Sequence, residues 1–182
     1  MSTFREYLRT SGPPPIRPIK RKVFVSYYHR GDQAWFDYFT GLFSDTLDIF
    51  YDNSLDGRIR SDDAEYVNRQ IREEYIVGSS ITIVLCGADT WKRKYVDWEI
   101  RSTLHCKHAL LGICITGTPA QANGTIRVSD RYYDNYLSGY AQWMNWPSDG
   151  AMLKLGIDAA LVRAFKPSRI DNSRPKMERN IS

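Results

Sequence analysis

Two short runs in the middle of the chain, Ile81–Cys86 and Ala109–Ile115, are apolar at nearly every position, odd and even alike. A strand with one wet face alternates apolar and polar residues, whereas a run apolar on both sides belongs to a strand covered on both faces. The stretch between them, 90–107, has helical periodicity, with Val96, Ile100, Thr103 and Leu104 on one stripe. Strand, helix, strand in this order is the unit of a parallel sheet with helices packed over it.

The same alternation runs through the rest of the chain. Val23–Tyr27 reads as a first strand, followed by a helix to about Phe43 with Trp35, Phe36, Phe39 and Phe43 at helical spacing and Asp32 as its cap. Leu47–Tyr51 is a second strand. A polar loop, Asp52 to Arg58, leads to a helix capped within 61–63 and carrying Ala64, Val67, Ile71 and Tyr75 on its apolar side. Residues 117–140 read as a long surface excursion, Gln142–Met144 as a short fifth strand, and Asp149 to Phe165 as a last helix with Leu153, Ile157, Ala160, Leu161 and Ala164 inward. The expected fold is a flavodoxin-like three-layer α/β sandwich with a central parallel sheet of four to five strands in the order 2-1-3-4-5. Three regions follow: a proline-rich basic leader, 1–21, a folded domain, 22–165, and a charged flexible tail, 166–182.

Charge distribution narrows the function. Residues 1–22 hold six basic groups against one acid and residues 166–182 five against two, so the net +4 of the chain leaves the body between them at −4. An acidic body disfavours nucleic acid as the main partner. No apolar run approaches the length of a membrane span and Met1–Thr10 has no signal core, so the expectation is a cytoplasmic protein with no membrane partner. Cys86, Cys106 and Cys114 are odd in number and lack metal-type spacing, and His105–His108 offers no second ligand pair, so no metal is expected. The glycine motifs that cradle phosphates and the G-x-S-x-G elbow are absent from the sequence.

In a sheet of order 2-1-3-4-5, the crevice lies at the carboxyl ends of strands one and three, where the order reverses. Ser26 to Asp32, Cys86 to Trp91 and the 52–60 loop would line it. On the 90–107 helix Glu99 falls at the edge of the apolar stripe, near Trp91, Tyr95 and Trp98. Spacing leaves two accounts open: a partly desolvated carboxylate facing the crevice, or an ion pair with Arg101 or Lys92 in solvent. The aromatic rings have two as well, covering a helix edge or subunit contact, or stacking on a flat ring. His29 and Arg30 suit either phosphate oxygens or a plain turn.

Three segments carry a resemblance: the strand Lys22–Tyr27 ending in Ser-Tyr, the loop Asp52 to Arg60 after strand two, and Tyr95-Val96-Asp97-Trp98-Glu99-Ile100. Together they resemble the Toll/interleukin-1 receptor (TIR) domain, and specifically the TIR-like component of the Thoeris anti-phage system. The last segment is similar to the family's Trp-(Val/Cys)-x-x-Glu-(Ile/Leu) helix motif, which carries the catalytic glutamate in NAD-cleaving members. Tyr95 stands where many members have tryptophan. The resemblance implies Glu99 as the catalytic group, with Ser26, Tyr27, Asp52, Trp91 and Tyr95 as candidate substrate-binding residues. It implies cleavage of the glycosidic bond of NAD to release nicotinamide and form a cyclic ADP-ribose isomer or a related conjugate that reaches a separate effector. NAD is then the substrate and no cofactor is needed; a homo-oligomer is also implied, since TIR enzymes often complete the pocket with a second subunit. The rival expectation is a non-catalytic TIR-like module that signals by assembly. A third option is a flavodoxin-like or receiver-like domain; the single Asp52 after strand two and the lack of an acidic cluster after strand one speak against a phosphorylation site, and a visible flavin spectrum would mark the flavodoxin version.

Overall fold

The computed structural model describes residues 20–51, 76 and 78–182. Five strands, β1 (Arg21–Ser26), β2 (Leu47–Tyr51), β3 (Ile81–Cys86), β4 (Ala109–Cys114) and β5 (Gln142–Asn145), form one parallel sheet in the order β2-β1-β3-β4-β5. The flavodoxin-like order expected from the sequence is the order found. The helices are α1 (His29–Phe43), α2 (Lys94–His105), α3 (Asp130–Leu137) and α4 (Gly150–Ala164).

Parity along the strands divides the core in two. Val23, Val25, Ile81, Ile83, Leu85, Leu111 and Ile113 point to one face, where Phe36, Phe39 and Phe43 of α1 and Leu153, Ile157 and Ala160 of α4 cover them. Val84, Cys86 and Leu110 point to the other, under Val96, Ile100 and Leu104 of α2 and Tyr132 of α3. All six residues of β3 are buried, which is why its sequence shows no polar alternation.

Three expectations need correction. The 90–107 helix is broken: a 3₁₀ turn, Thr90–Lys92, precedes an extended Arg93 (φ −96°, ψ 117°), and α2 begins only at Lys94. The 117–140 excursion contains α3, whose inward residues are Arg131, Tyr132 and Asn135. Their burial depends on polar partners, so the segment lacks an apolar stripe. Finally, the segment expected to be a free tail is bonded to the domain. Asp171 N–H donates to Asn135 Oδ1 (3.0 Å), Met177 N–H to Asp97 Oδ2 (3.0 Å), Trp98 Nε1–H to Met177 O (2.9 Å), and Ile181 N–H to Lys92 O (3.0 Å).

One glycine is dictated by this packing. A Cβ on Gly112 would lie 2.5 Å from the Tyr132 hydroxyl oxygen. That hydroxyl sits between β4 and β5, accepting from Gly112 N–H (3.0 Å) and donating to Gln142 O (2.5 Å). The proline-rich leader, Asp52 and its loop, and the helix expected over 61–75 lie outside the described residues.

Candidate functional site

The reversal of strand order falls between β1 and β3, paired in parallel with Ser26 opposite Val84. Ser26 ends β1, and its even parity turns it toward the α2 side, the face occupied by Val84 and Cys86. There its hydroxyl donates to the Glu99 carboxylate, across 73 residues of sequence. Glu99 is 2% exposed, so the carboxylate is withdrawn from solvent instead of pairing with Arg101 or Lys92 at the surface. A second hydroxyl contact fixes the same helix: Thr103 Oγ1 lies 2.6 Å from Thr82 Oγ1 of β3, while Thr103 also donates to Glu99 O (2.8 Å). The helix that carries Glu99 is thus tied to both strands at the break in the sheet.

The turn after β3 and the start of α1 are bonded to each other at the carboxyl end of the sheet. Gly87 N–H donates to Thr90 Oγ1 (2.8 Å), and the Thr90 hydroxyl donates to Asp32 Oδ2 (2.8 Å). A Cβ on Gly87 would meet Asp32 Oδ1 at 2.5 Å, so only glycine lets the carboxylate sit there. Arg93 lies over the Tyr28 ring at 4.0 Å from its centroid. Asp32 therefore does not cap α1: it occupies the first turn and links to the opposite turn, while Tyr28 at the cap position offers no side-chain bond. Burial raises the Asp32 pKa above the ordinary carboxylate value; the Thr90 hydroxyl opposes this, Asp89 adds to it and Arg93 opposes it.

The other sequence candidates separate. Tyr27, one residue on from Ser26, has the opposite parity: it is buried on the α1 side, stacked on His29 (4.2 Å) and Phe36 (4.4 Å), with its hydroxyl donating to Gln33 Oε1 (2.9 Å). The structure does not bring it together with Glu99. Trp91 belongs to the 3₁₀ turn and is out of helical phase with Tyr95 and Glu99. Its Nε1–H donates to Ala88 O (3.0 Å), and the Arg127 guanidinium lies 4.9 Å from its ring centroid. Tyr95 meets Trp98 edge-on at 5.4 Å, next to the C-terminal segment. Asp52 lies outside the described residues.

Two supporting features escaped the sequence reading. Arg131, fully buried, bonds Asp97 through Nε–Oδ1 (2.8 Å) and Nη2–Oδ2 (3.3 Å), and donates to Asn172 Oδ1 (2.8 Å) and Pro175 O (2.9 Å). Asn180 Oδ1 accepts from Lys94 N–H (2.9 Å), supplying from the C-terminal segment the N-terminal bond that Arg93 does not make. Their signal in sequence is only the presence of asparagines in a charged stretch. Among the described residues no group of three or more His, Cys, Asp or Glu is placed to hold a metal, and the three cysteines are free. No helix among them is long and apolar enough to cross a membrane.

A parallel sheet of order 2-1-3-4-5, a first strand ending in serine and a buried glutamate delivered to that serine define the class: a TIR-like α/β domain. The model of the family described as Thoeris protein ThsB, TIR-like domain, matches residues 24–120, more than half of the chain, and the chain belongs to that family. Membership places it in Thoeris anti-phage defence. No curated protein matches the chain.

Proposed function

We propose that this TIR-like domain cleaves the bond between nicotinamide and ribose in NAD and passes the ADP-ribosyl group to a second nucleophile. The observation that carries the reading is the Glu99 carboxylate, buried at the carboxyl end of β1 and held by the Ser26 hydroxyl. Nicotinamide in NAD is a cationic substituent that leaves as a neutral ring, so departure needs no general acid. Positive charge then develops on the ribose, as in glycoside hydrolysis. A fixed carboxylate in a water-poor site stabilises that charge far better than the same group in water. With water excluded, an adenine nitrogen or another bound nucleophile captures the ribosyl cation, and the product is a cyclic or conjugated ADP-ribose that reaches a separate effector.

Incubating the purified full chain with NAD, alone and with extract of phage-infected cells, and identifying products by mass spectrometry tests this. Nicotinamide together with an ADP-ribose isomer or conjugate is expected. NAD left intact under both conditions refutes the reading and leaves the alternative, a non-catalytic module acting by assembly, which draws its own support from Leu155 and Val162, both exposed on α4.

A further inference from the structure

Between α3, the edge strand β5 and the loop 124–128 lies a cavity of about 290 Å³. Trp143 and Asn145, two apart on β5, share the α3 face of the sheet and line it from below. Tyr133 and Tyr136, three apart on α3, form its helical wall. These walls are set by the fold. A Cβ on Gly112 would come within 2.8 Å of Trp143 Cε3, so glycine there lets the indole lie over β4. The Tyr132 ring, held by its hydroxyl bonds to β4 and β5, meets that indole edge-on with centroids 6.0 Å apart. The loop is a hairpin: Gln121 N–H donates to Thr125 O (2.8 Å), Gly124 turns the chain at φ +78°, and Ala120 bridges to Ile126.

We propose that the cavity binds the adenine base of a nucleoside or mononucleotide, stacked on the aromatic walls and read by the Asn145 amide. Among the described residues no charged side chain lines the cavity, so the group it takes is neutral. Aromatic rings on two sides suit a flat ring, which stacks on a tyrosine or tryptophan face. The Asn145 amide makes no hydrogen bond to another described residue, and its N–H donors and acceptor oxygen are open to a ligand. Adenine offers an N6–H donor beside the acceptor N7, so a carboxamide meets it with two bonds at once. Guanine offers two acceptors on the same edge, and one of them would face the amide oxygen.

Ligand pockets run from roughly 300 to 1,000 Å³, so this cavity has the size for a single nucleoside. It is separate from the site of Ser26 and Glu99. That site lies at β1, this one at β5, with β3 and β4 between them, and no residue of the first lines the second. Binding an adenine base breaks no bond, so the inference stands whether or not NAD is cleaved.

Isothermal titration calorimetry of the full chain with adenosine, adenosine monophosphate and guanosine reads it out. Adenosine is expected to bind at least about fivefold more tightly than guanosine. Equal affinity for adenosine and its monophosphate marks a nucleoside site, and tighter binding of the monophosphate a nucleotide site; either supports the proposal. Tyr136→Ala, at an exposed position of α3, is expected to weaken adenosine binding at least about fivefold with an unchanged far-ultraviolet circular dichroism spectrum. Asn145→Leu is expected to erase the preference for adenosine over guanosine while both still stack. A parent that takes up no adenosine at millimolar concentration overturns the proposal. So does a parent that binds guanosine as tightly as adenosine, or adenosine binding that both variants leave unchanged.

Discussion

Replacing Asp97 with alanine removes the acid from a pair whose arginine is fully buried. Arg131 would keep its bonds to Asn172 and Pro175 but lose both bonds to carboxylate oxygens, and Met177 N–H would lose its acceptor. Deleting one member of a buried ion pair strands the other charge, at a cost of about 3–5 kcal/mol. A typical domain has a total stability of about 5–15 kcal/mol. In a chain of this length each kcal/mol lowers Tm by about 2–4 °C, so the expected fall is roughly 6–20 °C. Urea denaturation followed by tryptophan fluorescence should show a lower midpoint at an unchanged slope. Cleavage at Lys176 and Arg179 by trypsin should accelerate, because the C-terminal segment loses one of its bonds to α2, that of Met177 N–H to Asp97, and keeps those of Met177 O and Asn180. The double replacement Asp97→Leu with Arg131→Met should recover most of the loss, since an apolar pair carries no desolvated charge. A loss below about 1 kcal/mol in Asp97→Ala would refute the claim that this pair binds α2, α3 and the C-terminal segment together.

Gly112→Ala should destabilise the domain by about 1–3 kcal/mol through overpacking against Tyr132, measurable as a shift in the urea midpoint. Tyr132→Phe should lose a comparable amount, about 1–3 kcal/mol, by leaving Gly112 N–H without its acceptor. Asn180→Ala should cost about 0.5–2 kcal/mol and loosen the first turn of α2, seen as faster amide exchange at Lys94. Burial lowers the His108 pKa below its ordinary 6.5 and leaves Nδ1 unpartnered, so the neutral ring is the form the fold prefers. The unfolded chain therefore binds the proton first on acidification. This contribution to stability is complete above pH 6.5 and lost as pH falls through the folded-state value. Thermal melts of His108→Gln should show a weaker acid-side fall in Tm than the parent; an identical fall would exclude His108 as its source.

The sheet was legible because its strands are short apolar runs with the parity of buried surfaces, and Glu99 because the same periodicity put it at the edge of a helix stripe. Parity also contained information that the sequence reading did not use. Ser26 and Tyr27 are adjacent in one strand and must face opposite ways, so only one of them can reach the Glu99 side. The α3 helix was missed because its inward residues, Arg131, Tyr132 and Asn135, are polar or amphipathic and are buried by partners far away in sequence. The interruption at Arg93 has no proline or glycine to announce it. It goes with tertiary bonds, Thr90 to Asp32 and Lys94 to Asn180, that local pattern does not contain. The docked C-terminal segment looked solvated for the same reason: its asparagines and main chain make bonds to groups that only the fold brings near.

The most direct test of the account is nicotinamide release from NAD by Glu99→Gln, compared with the parent under whatever condition activates the parent. The replacement keeps size and the acceptor oxygen for Ser26 while removing the charge. An unchanged circular dichroism spectrum and melting curve with nicotinamide release reduced to the uncatalysed level is the expected result. A folded Glu99→Gln protein that consumes NAD at the parent's rate would contradict it.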